Sequence, residues 1–319
     1  MNNNLLKFPY YPEDKDYRDK ELKRFIAHDK WNELFSIDPI TNSYEFKSGY
    51  NLGNSYLWSF FNYAWSSIKC NNKLTPIELF NNKEELNKLL INYKEDISDA
   101  KLRELLKTDI KVQTVNNFRP MSAGVIYDCF LEDFNSTVYD PCHGFGGRML
   151  GAIKAEKVSK YIGTDPAKQT NLSLKEVYKH IKSNNSLLNT DIELFNEPAE
   201  TFTLKDNSID LILTSPPYFN TEKYSTEDTQ SYIRYNSKSK WLNEFLKPML
   251  LNCFNCLKLE GKLLLNIANV ESFKDLEIQA LNLAISIGFK LKAAHKYILA
   301  ARSPINRQIK FEPIFELIK

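Results

Sequence analysis

Residues 137–148, TVYDPCHGFGGR, pass from a short apolar run into a glycine cluster that opens a helical pattern. Two further segments repeat the change from strand to loop, residues 161–165 (YIGTD) and residues 209–217 (IDLILTSPP). Amphipathic helical patterns separate most of these runs, for instance over residues 168–181. Such alternation of strands and helices predicts an α/β fold with a doubly wound, mostly parallel sheet.

Seven short apolar runs are candidate strands of this sheet. They cover residues 137–139, 161–163, 192–195, 209–213, 262–267, 289–299 and 311–318. Because no helical pattern separates the last two, we expect them to form a C-terminal antiparallel hairpin in a seven-stranded, Rossmann-like sheet. Sheets of this kind bind ligands at the carboxyl ends of their strands, near the point where the strand order reverses.

The first third of the chain lacks this alternation. Residues 76–105 have apolar residues three and four apart and predict two helices. Residues 50–68, YNLGNSYLWSFFNYAWSSI, are dense in aromatic residues, which indicates a buried helix or a surface for a partner. We therefore predict a mainly helical region over residues 1–110, serving recognition, dimerisation or partner binding, and an α/β domain over residues 111–319.

Composition narrows the classes of protein that fit this chain. A net charge of +2 neither requires nor excludes nucleic acid, and 43% hydrophobic residues permit a full core. No apolar run approaches the roughly 20 residues of a membrane span, so we expect a cytoplasmic protein. Among five cysteines, Cys253 and Cys256 lie in an apolar helical pattern, which favours core packing over a metal site.

The glycine cluster is the first candidate binding site. Gly144 and Gly146 let the backbone turn tightly and approach a ligand closely. Asp165 follows the next strand, where its carboxylate could accept hydrogen bonds from both ribose hydroxyls or could cap a helix. No Lys-Ser or Lys-Thr follows the glycines, and their spacing departs from G-x-G-x-x-G. A ligand with adenosine and without pyrophosphate therefore fits better than a nucleotide phosphate.

The second candidate site is the loop Ser215-Pro216-Pro217-Tyr218, which follows the apolar run 209–213. Two adjacent prolines fix the backbone and remove two N–H donors. Carbonyl groups, the Ser215 hydroxyl and an aromatic ring remain. This set of groups suits an exocyclic amine on a flat ring.

Both loops resemble those of the DNA amino-methyltransferases, the family that methylates cytosine N4 or adenine N6. Asp140, Pro141, Gly144 and Gly146 match its Asp-Pro-x-x-Gly-x-Gly cofactor loop. Residues 215–218 match its Asp/Asn/Ser-Pro-Pro-aromatic loop at every position. The resemblance extends over about residues 116–319 and does not reach the N-terminal third.

The resemblance implies S-adenosyl-L-methionine as cofactor, bound by Phe118 at its methionine end and by Asp165 at its ribose. Two positions depart from the family pattern, His143 and the pair Gly147-Arg148. No family role is carried over to His143 or Arg148. We expect His143 to make a local hydrogen bond within the loop.

The resemblance also implies direct methyl transfer without a covalent enzyme intermediate. Ser215 and the Pro216 carbonyl would accept hydrogen bonds from the two amine protons, and Tyr218 would stack on the base. A base inside a duplex must flip out to reach such a pocket. Within the family, serine at the first loop position accompanies cytosine N4 more often than adenine N6, so cytosine is favoured.

Residues that could hold the polynucleotide lie in two segments. Tyr224 belongs to the polar stretch 219–240, which could cover a flipped base or be an ordinary surface loop. From residue 278 to residue 311 there are six Lys or Arg and no Asp or Glu, and this stretch includes Arg302, Arg307 and Lys310. These cations could bind phosphates of DNA if they lie near the site, or could form a solvated basic face.

Other functions remain open at the level of sequence. Methyltransferases acting on the base amines of RNA, or on a protein glutamine amide, present a similar planar amine to such a loop. A non-catalytic nucleic-acid-binding module with this fold is a further alternative. DNA is the preferred partner, with no metal and no membrane, and the choice between monomer and homodimer stays open.

Overall fold

The computed structural model describes residues 6–29, 31–47, 51–71, 73–93, 97–184, 190–299 and 310–319. The strands are β1 (Phe35–Ile37), β2 (Tyr44–Lys47), β3 (Lys69–Cys70), β4 (Ser136–Asp140), β5 (Val158–Thr164), β6 (Asp191–Phe195), β7 (Ile209–Thr214), β8 (Glu222–Lys223), β9 (Leu257–Asn266), β10 (Lys290–Ile298) and β11 (Phe311–Ile318).

The helices are α1 (Lys15–Ile26), α2 (Asn54–Trp58), α3 (Ala64–Ser67), α4 (Pro76–Asn81), α5 (Lys83–Leu90), α6 (Asp99–Thr108), α7 (Pro120–Phe130), α8 (Gly147–Lys154), α9 (Lys168–Ser183), α10 (Ser231–Arg234), α11 (Lys238–Lys240), α12 (Lys247–Cys256) and α13 (Leu276–Ile287). A 3₁₀ turn, Trp31–Leu34, precedes β1, and a π-helical turn, Trp241–Leu246, leads into α12. Residues 76–105 hold three helices where the sequence predicts two. Asn82 ends α4 and caps α5 through its side chain.

The central sheet has the strand order β1-β2-β10-β11-β9-β7-β4-β5-β6. Strands β9, β7, β4, β5 and β6 run parallel to one another, and β11 is antiparallel to both of its neighbours. All seven predicted runs are strands, and the last two form the expected antiparallel hairpin. The doubly wound, mostly parallel sheet with helices around it is therefore confirmed.

Two strands from the N-terminal region extend this sheet beyond seven. β1 and β2 form an antiparallel pair, and β2 runs parallel to β10 with Glu45 opposite Lys296. The Lys296 ammonium donates to the Glu45 carboxylate over 2.7 Å. The region predicted as mainly helical thus also contributes strands, because β2 pairs with residues some 250 positions away and β1 pairs with β2. The proposed boundary at residue 110 stays a prediction.

The aromatic-dense segment is buried. Tyr56 and Phe61 are fully buried, and Trp65 is nearly so. The Tyr56 hydroxyl lies 3.1 Å from His180 Nδ1 on α9, so this segment packs directly on the α/β domain. These aromatic residues share one hydrophobic core with β4, β5 and β7. Of the two sequence interpretations, the buried one describes these side chains.

Cys253 and Cys256 are buried on α12, and the Cys256 thiol donates to the Cys253 carbonyl. The prediction that this pair faces the core is confirmed. Within the ranges described, no helix has the length and apolar character needed to cross a membrane.

Candidate active site

The two candidate loops meet at the carboxyl ends of β4 and β7. These neighbouring parallel strands pair Val138 with Leu211, and the strand order reverses beside β4. A cavity of about 880 Å³ opens there. Its wall includes most of the residues singled out from the sequence, namely Phe118, Gly144, Asp165, Ser215, Pro216, Pro217, Tyr218 and Tyr224. The predicted catalytic loop and the predicted cofactor residues therefore face one shared space.

Glycine is required by the local geometry of the first loop. Gly146 has φ +76°, and a Cβ there would lie 2.4 Å from the Leu174 side chain. A Cβ on Gly147 would lie 1.9 Å from the Phe118 carbonyl oxygen. The loop consequently packs directly on the segment that carries Phe118. Gly146 packs against Leu174 and does not line the cavity.

Asp140 lies behind the cavity, where it holds the loop in place. Its carboxylate is fully buried and accepts hydrogen bonds from Arg148 Nε at 2.7 Å and from the Tyr161 hydroxyl at 2.8 Å. Arg148 also donates to the Cys142 carbonyl, which closes the turn. Pro141 lines only a small neighbouring pocket. The contacts of Asp140 position the loop, and cofactor binding by Asp140 and Pro141 stays a prediction.

Arg148 also belongs to this site, although the sequence assigns it no role. Its guanidinium is buried against Asp140, and this carboxylate raises the arginine pKa above its ordinary value. It lies 5.4 Å from the centroid of the Phe118 ring and forms part of the cavity wall. A buried aspartate after a strand needs a cation, and the nearby arginine in the sequence was the available signal.

Asp165 connects the end of β5 to the glycine loop. One carboxylate oxygen accepts from the Gly144 amide at 3.2 Å, and the other accepts from the Ala167 amide at 2.9 Å. Burial raises the pKa of this carboxyl. Because Asp165 also borders the cavity, a ligand with hydroxyl groups would meet an acceptor that is already held in position.

His143 makes the local contacts expected of a loop residue. Its Nδ1 lies 3.0 Å from the Gly144 carbonyl oxygen and its Nε2 lies 3.1 Å from Asn171 Oδ1. The Asn171 amide nitrogen donates to the backbone carbonyls of Asp165 and Ala167. The histidine therefore links the glycine loop to the start of α9.

The second loop is fixed by a hydrogen-bonded chain that ends on a glutamate. The Ser215 hydroxyl donates to the Tyr218 oxygen at 3.3 Å, and the Tyr218 hydroxyl donates to Glu312 at 3.0 Å. Burial raises the pKa of the Glu312 carboxyl. Glu312 comes from β11, and sequence reasoning did not single it out.

A second carboxylate lies on the same wall. Glu222 receives a hydrogen bond from the backbone of Tyr218, and burial raises its pKa to about 7. β8, which carries Glu222, pairs with β3 of the N-terminal region. Two acids from different parts of the chain thus hold Tyr218, one at its backbone and one at its hydroxyl.

The remaining predicted residues have different placements. Phe118 stacks on Tyr297, with ring centroids 4.7 Å apart and an interplanar angle of 8°. Tyr224 lies in the cavity wall, and its ring centroid is 6.1 Å from that of Phe145. Lys310 is exposed and does not line the cavity. Arg302 and Arg307 lie outside the described residues.

Comparison with known proteins gives one similar sequence. A Type II methyltransferase, M.MjaVI of Methanocaldococcus jannaschii, is 34% identical over 102 residues, which are 31% of this chain and 50% of that enzyme. The chain therefore spans about half the length of the curated relative it matches. No protein-family model matches the chain.

Solved structures resemble part of the chain. A methyltransferase from Pyrococcus furiosus has a TM-score of 0.42 and 18% identity, with 62% of this chain and 82% of that chain covered. TYW2 of M. jannaschii, solved in complex with AdoMet, has a TM-score of 0.38 and 17% identity, with 60% and 72% covered. A SAM-dependent methyltransferase from Aquifex aeolicus has a TM-score of 0.40 and 13% identity, with 61% and 88% covered.

Proposed function

We propose that this protein transfers a methyl group from S-adenosyl-L-methionine to an exocyclic amine of a DNA base, with cytosine N4 favoured and adenine N6 next. One observation carries the proposal. Ser215 and Tyr218 line the same cavity as Gly144 and Asp165, so the groups proposed to bind the amine and those proposed to bind adenosine share one space. The similarity to a Type II methyltransferase supports the same reaction.

The residues present fit this cofactor. A Cβ on Gly144 would meet nothing closer than 3.9 Å, which leaves open space beside the loop backbone. Asp165 supplies a carboxylate for hydroxyl groups, and Phe118 supplies an apolar ring. The volume of about 880 Å³ lies in the range of small-molecule sites and leaves room for a base. When bound, the cofactor supplies an electrophilic methyl group.

The chain's own residues orient the amine. Its lone pair is delocalised into the ring, so the free base is a poor nucleophile. Ser215 Oγ and the Pro216 carbonyl accept hydrogen bonds from the two amine protons, which favours a tetrahedral nitrogen. The prolines offer no competing N–H donors. Positioning of this kind supplies much of the rate in a direct transfer between two bound groups. The N–CH₃ bond would form as the S–CH₃ bond breaks, and the nitrogen would then release one of its protons to solvent.

Tyr218 provides the surface on which the base stacks. Its hydroxyl is held by Glu312, and the Asn266 carbonyl lies 3.4 Å away, so the ring plane is fixed before a base arrives. A target inside a duplex has to leave the stack to reach this ring. The wall residue Tyr224 lies on the same side as the glycine loop, where it can contact the flipped nucleotide.

The decisive experiment uses labelled S-adenosylmethionine with unmethylated DNA, RNA and protein extracts as separate acceptors. We expect transfer to DNA and N4-methylcytosine in the digested nucleosides by mass spectrometry. Ser215→Ala and Tyr218→Ala should each lower the rate at least about a hundredfold. Ser286→Ala, an exposed serine on α13, is the matched control and should leave the rate unchanged.

Other outcomes identify the alternatives. Label in RNA or in protein glutamine would agree with methylation of a planar amine but would show that DNA is not the substrate. N6-methyladenine would replace cytosine as the target. Transfer that survives both loop substitutions would contradict the proposed roles of Ser215 and Tyr218.

A further inference from the structure

A lysine of the N-terminal region sits in an aromatic cage at the edge of the active-site cavity. Lys107, on α6, has its ammonium 4.5 Å from the centroid of the Trp65 ring, 5.3 Å from that of Tyr11 and 5.9 Å from that of Trp58. It also donates to the Tyr11 hydroxyl over 3.2 Å. Lys107 lines the cavity, so its ammonium group can contact a ligand bound there.

Two more cations lie beside it. The Arg103 guanidinium is 4.5 Å from the Tyr11 ring centroid and donates to the carbonyls of Pro9 and Tyr10. Arg119 donates a hydrogen bond to the Asn51 side-chain oxygen and lines the cavity. In the part of the chain that the structure describes, none of Arg103, Lys107 and Arg119 forms an ion pair with a carboxylate. These three residues are called the Lys107 cluster below.

Lys107 carries an electrostatic cost that a ligand could relieve. Burial lowers the pKa of Lys107 to about 8, and the charges of Arg103 and Arg119 act in the same direction. Buried cations are normally paired, because desolvation without a counter-charge is unfavourable. Cation–π contacts with the cage offset this only in part. An anion in the cavity would supply the counter-charge that Lys107 lacks.

The cluster also lies close to the glycine loop. The Trp58 ring of the cage has its centroid 5.1 Å from that of Phe145, which stands between Gly144 and Gly146. Arg119 follows Phe118 directly, and both border the cavity. The cations therefore face the end of the cavity where the methionine part of the cofactor, or a phosphate beside the flipped base, would lie.

We propose that Lys107 and Arg119 bind an anionic oxygen group in the active-site cavity, with the aromatic cage holding Lys107 in place. Resting on the function proposed above, this inference gives the aromatic-dense segment a role in ligand binding. Two groups have the required chemistry, the carboxylate of the cofactor and a backbone phosphate of the polynucleotide. The carboxylate is planar and the phosphate is tetrahedral, and each has oxygens that can accept from an ammonium and a guanidinium at once.

The test compares Lys107→Met, Lys107→Arg and the control Lys88→Met in the full chain. Lys88 lies on α5, is exposed, pairs with Glu84 and does not line the cavity, so its loss should leave the cavity unchanged. Calorimetry measures the affinity for S-adenosylhomocysteine and for methylthioadenosine, which lacks the carboxylate. Binding of an unmethylated oligonucleotide is measured over a salt titration with S-adenosylhomocysteine present.

Each source gives its own pattern. If the carboxylate is the ligand, Lys107→Met weakens S-adenosylhomocysteine about tenfold and leaves methylthioadenosine unchanged. If a phosphate is the ligand, Lys107→Met weakens the oligonucleotide and makes its salt dependence shallower by about one counterion. In either case Lys107→Arg keeps more affinity than Lys107→Met, since the charge is retained.

A second measurement is independent of catalysis. NMR of ¹³C-labelled lysine follows the titration of Lys107 with and without inorganic phosphate. Phosphate should raise the pKa of Lys107 from about 8 towards its ordinary value of 10.5. That response in a protein that binds no S-adenosylhomocysteine would refute the proposed function and keep the anion site. Unchanged affinities in all variants together with an unmoved lysine titration would overturn the inference.

Discussion

The Tyr218 hydroxyl donates a hydrogen bond to the Glu312 carboxylate over 3.0 Å, and these residues are 94 positions apart in the chain. The last strand of the sheet thereby supports the loop that follows β7. Since Tyr218 is the proposed stacking surface for the base, Glu312 acts as a positioning residue through it.

Replacing Glu312 should therefore slow methyl transfer, because the Tyr218 ring loses the hydrogen bond that holds it. We expect Glu312→Ala to lower kcat about tenfold or more, because a hydrogen bond to a charged group is worth about 1.5–3 kcal/mol. Single-turnover kinetics measure the change. In a Tyr218→Phe background, which lacks the hydroxyl, the same substitution should have little effect. An equal loss in both backgrounds would show that Glu312 acts by another route.

Glu222 should make stability depend on pH in a defined window. Its pKa is about 7 in the folded chain and 4.5 ordinarily, so the folded state keeps a proton that the unfolded state releases. Stability should fall as pH rises from about 4.5 to 7, by about 2–3 kcal/mol, and should then level off.

Urea unfolding at pH 5 and pH 8 measures this dependence. Glu222→Gln should remove most of the fall, and the control Glu84→Gln, on the exposed face of α5, should keep it. A wild-type protein with equal stability at both pH values would contradict the assignment to Glu222.

The buried pair formed by Asp140 and Arg148 should be sensitive to the loss of either partner. Arg148→Met leaves the Asp140 carboxylate buried with only the Tyr161 hydroxyl and a backbone amide, and we expect a loss of about 3–5 kcal/mol in the free energy of unfolding. Chemical denaturation measures it. The exposed Lys88, paired with Glu84, is the control, and Lys88→Met should cost under about 1 kcal/mol. Similar losses in the two variants would argue against a buried ion pair.

Gly147→Ala should disturb the contact between the glycine loop and Phe118. The new Cβ would lie 1.9 Å from the Phe118 carbonyl oxygen, so the backbone must move. We expect a loss of about 1–3 kcal/mol of stability and weaker binding of S-adenosylhomocysteine. Thermal unfolding and calorimetry measure these. In Gly144→Ala the Cβ would meet nothing closer than the Cys142 carbonyl oxygen at 3.9 Å, so only the φ of +50° opposes the change and the loss of stability should be smaller; the reverse order would contradict this packing.

The sequence predicted the strands of the α/β domain well because each is a short apolar run followed by a distinct loop. β1 and β2 could not be found in this way. Phe35–Ile37 and Tyr44–Lys47 are only three and four residues long, and β2 becomes part of the sheet through its pairing with β10.

The candidate site was also predictable only in part, because some of its residues come together only in the folded chain. Ser215, Tyr218, Gly144 and Asp165 belong to continuous motifs, and the cavity contains all four. Glu312 and Lys107 reach it from distant segments, and Glu222 lies four residues after Tyr218 but belongs to no motif. Asp140 matched a motif, yet its contacts with Arg148 place it behind the cavity, which the motif does not reveal.

Strand order has a consequence for how the chain reaches its native state. β11, residues 311–318, lies between β9 and β10, and β2 then pairs with β10. During synthesis the sheet can grow from β4 to β9, but the β10 edge and the N-terminal strands must wait until residue 318 has left the ribosome. Long-range pairing of this kind slows folding. We expect a nascent chain halted before residue 311 to expose the β9 edge and to bind chaperones that recognise unpaired apolar strands.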